Sequence, residues 1–574
     1  STPIKSSAAS DVYKRQLLLS SCDGYLEENP KGLISDAYAK TEEGVESLIL
    51  SLYQQNRYLP QRLMLFADTG TDVTTYGMKG TGWAYESSYY DDAKLISNSV
   101  NSEYWKYLYQ ILNIANTGIQ YLEETPISSE KKKEQLTSEV YALRAFYLYL
   151  IVETYGPAAH YADTPSQTVI TEGYQPGIAA FYKRILSDLD IAFKNLGIPQ
   201  DTKWGRMNIG VAKAIKMRVL MALAAYEDNI ITEAGYTKQQ CYEETIMLCN
   251  SLINDYNYKL LEDYASIFDV NNQINDEIIW SIQYTSDLVY NGMDGKKIDC
   301  NFLHRYFVGW CNKSVTNSNQ NIDGLWSHSR VYGREFRVGM PTYYYISCFN
   351  KYDKRREETF QTAWCRIPDN WNNDPDYSDT LLIRTLDVVS SEFVQAYKNR
   401  GIIVDNLSDI YDTVTGIPTI DGRSCYHTIT KFLDPSRDEA KREEGFKDVI
   451  LLRMGEVYIT LAEAYVRTNQ VDKAVNTITD LRKRTLIPGH EEEMKVTASD
   501  MDIDFILEEG ARELGCELNR WYMLKRSGKL VEWVKKHNPD ISLIQDYHIY
   551  RPLPQDALYE VSNLDQFVQN KGYK

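Results

Sequence analysis

Apolar residues recur along much of this chain with the period of a helix. Over residues 129–155, Leu136, Val140, Leu143, Tyr147 and Leu150 fall at three- and four-residue spacing and form one stripe. Ser128 or Ser129 can cap its start, and Gly156-Pro157 ends it. A second helix is predicted over 207–227, with Ala212, Ile215, Val219 and Ala222 on its buried face, and another over 240–255. The pattern at 448–485 predicts a helical hairpin. Leu451, Met454, Tyr458, Leu461 and Tyr465 make the outgoing stripe, Thr468-Asn469-Gln470 the turn, and Ala474, Ile478 and Leu481 the returning stripe. The small Ala462 and Ala464 permit close approach of the two helices.

A helix pair of about 34 residues with small residues and Tyr at its contact resembles a tetratricopeptide unit. Segments 129–155 with 176–196, and 207–227 with 240–255, read as further diverged copies. Such units cannot bury their faces singly, so they must stack. Between about 265 and 445 helical periodicity fades, and Asn, Gly, Tyr and Trp become frequent. Short strand-like runs such as Glu277–Ile282 appear there, and 66–100 has the same irregular character. Long irregular segments this rich in aromatic residues point to function rather than disorder.

The composition narrows the function. The net charge of -18 and a pI near 5.0 make nucleic acid an unfavourable partner. There are 45 Tyr against 15 Phe, with 10 Trp. That excess suits surfaces that are both apolar and hydrogen-bonding. The nine Cys form no C-x-x-C pair and match no zinc spacing. The sequence holds no G-x-S-x-G, H-E-x-x-H or P-loop, and its seven His are scattered. The oxygen-rich run Asp369–Asp376 lacks the Gly and terminal Glu of an EF-hand and reads as a solvated turn. No enzyme chemistry, cofactor or metal is expected.

At the start, Leu17-Leu18-Leu19-Ser20-Ser21-Cys22 has the form of a bacterial lipobox, in which the Cys22 thiol takes the lipid. Several acyl chains on one residue would hold the protein at a membrane stably. Residues 1–21 lack the apolar core of a full signal peptide and read as a signal remnant or an assembly scar. Residues 22–35 read as a lipid-attached tether. Residues 36–574 read as a single domain of helical repeats plus a ligand lobe, with loops at about 66–100 and 265–445.

Five ordered motifs resemble the SusD/RagB family of nutrient-binding outer-membrane lipoproteins of Bacteroidetes. They are Leu143-Arg144-Ala145-Phe146-Tyr147 through Tyr155-Gly156-Pro157; Leu452-Arg453 through Glu456-Val457-Tyr458 and Ala462-Glu463-Ala464-Tyr465; Leu481-Arg482-Lys483-Arg484; Glu508-Glu509 with Arg512-Glu513-Leu514, Arg520-Trp521 and Leu524-Lys525-Arg526; and Leu553-Pro554 with Gln569-Asn570-Lys571-Gly572-Tyr573. Leu518, Met523 and Lys571 depart from the family pattern of Gly, Asp and Pro. Arg512, Glu513 and Arg520 are expected in buried ion pairs, not in catalysis. The resemblance implies a mostly α fold, tetratricopeptide-like stacked helix pairs with an irregular loop-rich lobe (SusD-like). It also implies an oligosaccharide ligand, a SusC-like TonB-dependent transporter as partner, and a lipid-anchored place on the outer membrane.

In that family aromatics from two irregular regions hold the ligand. Flat rings suit the apolar face of a sugar, while neighbouring polar groups take its hydroxyls. By region, the expected contacts are Trp83, Tyr85, Tyr89, Trp310, Trp326 and Tyr332. Tyr76, Tyr90 and Tyr306 lie in the same regions, with Asn312, Asn317, Asn319, Asn321 and Arg330 as polar partners. Trp105, Trp280 and Trp521 are expected in the core. A peptide ligand, a glycoside hydrolase and a protein-only helical scaffold are the alternatives. The scaffold predicts no aromatic loop cluster.

Overall fold

The structure, a computed structural model, describes residues 36–78, 82–166, 168, 171–287, 300–317 and 320–573. Cys22, the expected tether and Asn319 lie outside the described residues, as does the Trp83 side chain.

The apolar stripes become helices: α1 (Glu42–Gln55), α2 (Ser99–Glu124), α3 (Glu130–Tyr155), α4 (Ile178–Ala192), α5 (Ile209–Leu223) and α6 (Lys238–Asn254). Near the other end come α7 (Met454–Arg467), α8 (Val471–Arg482), α9 (Ile503–Leu514) and α10 (Arg520–Arg526). Helix α3 begins where Ser129 accepts a hydrogen bond from the Lys132 N–H. It ends at Gly156, whose φ of 56° and close approach to the Tyr550 ring leave no room for a Cβ. Consecutive helices pack as the three expected pairs, α3 on α4, α5 on α6 and α7 on α8. Helix α6 also packs on α7, which joins the early stack to the late one. Helix α5 sits among α4, α6, α7 and α10, so nearly every side chain from Gly210 to Leu223 is buried. No described helix is long and apolar enough to cross a membrane.

Two expectations need correction. Residues Val449–Arg453 form a strand, not the first turn of α7, so Leu451 does not belong to that helix's stripe. The strand pairs antiparallel with Ile278–Ile282, with Val449 opposite Ile282 and Arg453 opposite Ile278. A short run of consecutive apolar residues has no period to separate strand from helix. The 66–100 stretch is also more regular than expected. It contains a strand, Thr74–Tyr76, and short helices at Trp83–Ser88 and Asp92–Ser97.

The 265–445 region is built from short helices and small sheets, among them a sheet of Ala363–Cys365, Thr380–Arg384 and Ile403–Asp405. It carries a small core of its own around Cys311, Leu325, Tyr332, Trp364 and Leu382. The main core runs from Val45 to Phe567.

A buried lattice of ion pairs ties distant segments together. Arg355 meets Asp353 (2.6 Å), Glu509 (2.8 Å) and Glu513 (2.8 Å). Arg453 meets Glu277 (2.8 Å), Glu513 (2.6 Å) and Glu517 (2.6 Å). Arg484 adds a third contact to Glu513 (2.7 Å), and Arg482 and Arg512 flank Glu509 (2.6 and 2.9 Å). Arg520 pairs with Asp72 (2.5 Å). Arg512, Glu513 and Arg520 therefore take the structural role expected of them. Buried charges survive only with such complete pairing.

Candidate functional site

The two aromatic regions meet through a short antiparallel pair, with Thr74 opposite Pro341 and Tyr76 opposite Gly339. The contact continues past the pair. Gly77 N–H donates to the Val338 carbonyl (2.7 Å) and Met78 N–H to the Arg423 carbonyl (2.8 Å). Trp310 N–H donates to the Ser424 carbonyl (2.8 Å). Segment 423–426 thus lies between the Tyr76–Met78 and Trp310 segments. Two glycines permit this packing. A Cβ on Gly77 would lie 2.6 Å from the Arg337 carbonyl oxygen, and one on Gly309 would lie 2.5 Å from that of Tyr426.

On one side of this junction three tyrosines cluster. Tyr85 and Tyr89 stack at 4.4 Å and 24°, and Tyr76 meets Tyr85 edge-on at 5.0 Å and 85°. All three are half-buried. The Tyr89 hydroxyl lies 3.3 Å from that of Ser542. The Lys94 ammonium sits 4.6 Å over Tyr85, and the Arg423 guanidinium 4.3 Å over Tyr76. Arg423 is fixed by Asp540 (2.6 Å), which also accepts from the Thr75 hydroxyl (2.7 Å).

On the other side stands Trp310, half-buried. Arg337 lies 4.2 Å and Lys313 4.1 Å over its ring. Arg384 supports the segment from beneath. It donates to the carbonyls of Trp310 (2.9 Å) and Lys313 (2.7 Å) and pairs with Asp405 (3.2 Å). Arg337 has a left-handed backbone, with φ of 55°. That conformation is unfavourable for any residue with a Cβ and is held by its surroundings.

Tyr85, Tyr89 and Trp310 are therefore brought to adjacent segments, and the backbone of Trp83 begins the short helix that carries Tyr85. Trp326 and Tyr332 fall elsewhere. Trp326 stands at the rim of the smaller core, where its indole N–H donates to the Ile367 carbonyl (3.3 Å) and its ring meets Trp371 at 5.6 Å. Tyr332 is a core residue, which corrects its expected place. It is 3% exposed, and its hydroxyl accepts from the Cys365 N–H (2.9 Å) inside the smaller core. Tyr90 and Tyr306 are buried as well, and so are Trp105, Trp280 and Trp521, as expected of them.

The polar candidates mostly serve the loop itself. Asn312 donates to Asn321 (3.1 Å), and Arg330 to the Pro435 carbonyl (3.4 Å). The sequence reading missed Arg337, Lys313, Arg423, Asp540 and Trp371. Their only signal was membership in loops. Among the described residues, no group of three or more His, Cys, Asp and Glu is placed to hold a metal ion.

Comparison with known proteins agrees with this architecture. Residues 250–573 match the model of the SusD family, and residues 24–203 match a model described as starch-binding associating with outer membrane. SusD-like protein P25 of Formosa agariphila is 23% identical over 96% of this chain and 97% of its own length. SusD-like protein P38 of the same organism is 24% identical over 96% of each. A SusD homolog from Bacteroides thetaiotaomicron has the same fold, with a TM-score of 0.70 at 15% identity over 94% of this chain and 99% of its own. A laminarin binding SusD-like protein superposes with a TM-score of 0.65 at 18% identity, over 93% of this chain and all of its own. With more than half of its length inside one family model, and helix pairs, loop lobe and end-to-end relatives all in agreement, this chain belongs to the SusD family.

Proposed function

We propose that this protein captures an oligosaccharide at the cell surface and hands it to a TonB-dependent outer-membrane transporter, without chemistry of its own. The observation that carries the reading is the half-exposed cluster of Tyr76, Tyr85 and Tyr89, with charged and hydroxyl groups set among the rings, on a segment that shares the 423–424 strip with the segment of Trp310. Rings supply an apolar face at low entropic cost, and the polar groups between them suit sugar hydroxyls. Solved structures of the same fold support it. One is described as laminarin binding, and another is a surface glycan-binding protein from Bacteroides thetaiotaomicron in complex with laminarihexaose. Surface attachment through Cys22 is part of the proposal, and so is the transporter partner, which follows the family's role.

Titration of the purified protein against a glycan panel is expected to give saturable binding with no product released. Steady release of shorter sugars would overturn the non-enzymatic reading. Tyr89→Ala should weaken binding by about 1–3 kcal/mol if the stacked pair is a central anchor. Fatty-acid labelling of cells should be lost on Cys22→Ser.

A further inference from the structure

We infer that Arg337 and Lys313 form an anion-binding subsite on Trp310 that takes the carboxylate or sulfate group of an acidic glycan. This deepens the glycan-binding proposal and rests on it. The starting point is charge. Arg423 and Arg384, the neighbouring guanidinium groups, are neutralised by Asp540 (2.6 Å) and Asp405 (3.2 Å). Arg337 and Lys313 have no carboxylate partner among the described residues. The polar contact of the Arg337 side chain is a long one, from Nη1 to the Ser424 hydroxyl (3.4 Å), and its Nε is buried with no acceptor. Glu335 acts on Arg337 only from a distance and itself lies 3.3 Å from His328. Burial lowers the affinity of this guanidinium for its proton, which a bound anion would reverse.

Two like charges thus lie 4.1 and 4.2 Å from the centre of one ring. The indole quadrupole attracts each of them but does not cancel their repulsion. An anionic group within reach of both at the edge of the ring would offset it. Guanidinium matches carboxylate and sulfate through paired hydrogen bonds, and an ammonium adds a point charge. The chain as a whole, at -18, repels anions, so an acidic ligand needs a local site of this kind. With two cations against its ring, Trp310 holds charge in position rather than offering an open face to a sugar. Sugar stacking then falls to the tyrosine cluster across the junction.

The test is calorimetric titration of the whole protein with uronic-acid oligosaccharides and sulfated oligosaccharides. Each is matched with its methyl-esterified or desulfated counterpart, and neutral laminarin oligosaccharides and polyglutamate complete the panel. We expect at least one acidic glycan to bind about tenfold or more tighter than its neutral counterpart, with the preference shrinking as salt rises. Whether the uronate or the sulfate arm responds names the group. Arg337→Gln should collapse the preference, and Lys313→Gln, at a half-exposed position, should reduce it even if Arg337→Gln fails to fold. Equal binding of charged and neutral counterparts, or a preference unchanged in the folded variants, overturns the subsite and leaves the glycan-binding role standing. Binding of polyglutamate alone, or of nothing in the panel, overturns both.

Discussion

Glu513 shows what a single buried charge is worth in this protein. Its two oxygens meet Arg355, Arg453 and Arg484 at 2.6–2.8 Å. Burial opposes its charged form, yet those three guanidinium groups outweigh burial and hold the carboxyl below its ordinary range. Glu513→Gln would leave them facing a neutral amide in a dry interior. We expect it to lower the unfolding free energy by about 3–5 kcal/mol, read from the urea midpoint. Asp480→Asn, which breaks an exposed pair with Lys483, should leave that midpoint unchanged. His427 gives a pH dependence. Burial, reinforced by Arg384, lowers its pKa to about 3. The unfolded chain therefore takes up a proton that the folded chain refuses once the pH drops below about 6.5. The stability His427 contributes is complete above that value and is lost as pH falls towards 3. Between pH 6 and 4, His427→Gln should make the stability-against-pH curve shallower by about 1.4 kcal/mol per pH unit. An unchanged slope would show that His427 is not buried in its neutral form.

At the scale of elements, periodic segments were legible and junctions were not. Helix α3 announced itself through its stripe, its Ser129 cap and its Gly156 stop. The α7–α8 turn did so through Asn469, which adopts φ of 58° where Asn is among the most tolerant residues. The strand at 449–453 is not legible as one because its buried run has no period. Tyr89 and Tyr332 read alike in sequence, and only the partners they meet separate a half-exposed ring from a core one. The contact between Arg423 and Tyr76 spans 347 residues, beyond any local pattern. Gly309 makes a test of how the junction is built. Gly309→Ala sets a Cβ against the Tyr426 carbonyl, so the 308–313 segment must shift. We expect glycan affinity to fall at least about tenfold while far-ultraviolet circular dichroism stays unchanged, since no helix depends on that residue. Full affinity in the variant would mean that Trp310 and its cations lie outside the site.

For the whole molecule, the family motifs turned out to mark the ion lattice and helix contacts rather than the ligand. This is why fold and family were readable while the tyrosine cluster and the cations at Trp310 were not. The lattice links residues 277, 353–355, 453, 482–484 and 509–517, and the loop lobe hangs on it through Asp353 and Arg355. Unfolding in urea should therefore be one transition, with tryptophan fluorescence and circular dichroism coinciding. An earlier fluorescence transition would mark the 300–445 lobe as a separate unit. The pairing of Asp68 and Asp72 with residues 518–520 carries a further consequence. Asp68 accepts from the Leu518 N–H (2.6 Å), and burial pushes its carboxyl up to about 7. Asp72 holds Arg520 across 448 residues. A chain growing on the ribosome carries both aspartates long before their partners exist. Closing over those carboxylates before residues 518–520 exist would bury two acids without their partners, so that closure is expected to wait for them. A chain that cannot finish folding early is one that can still be threaded through a translocation pore.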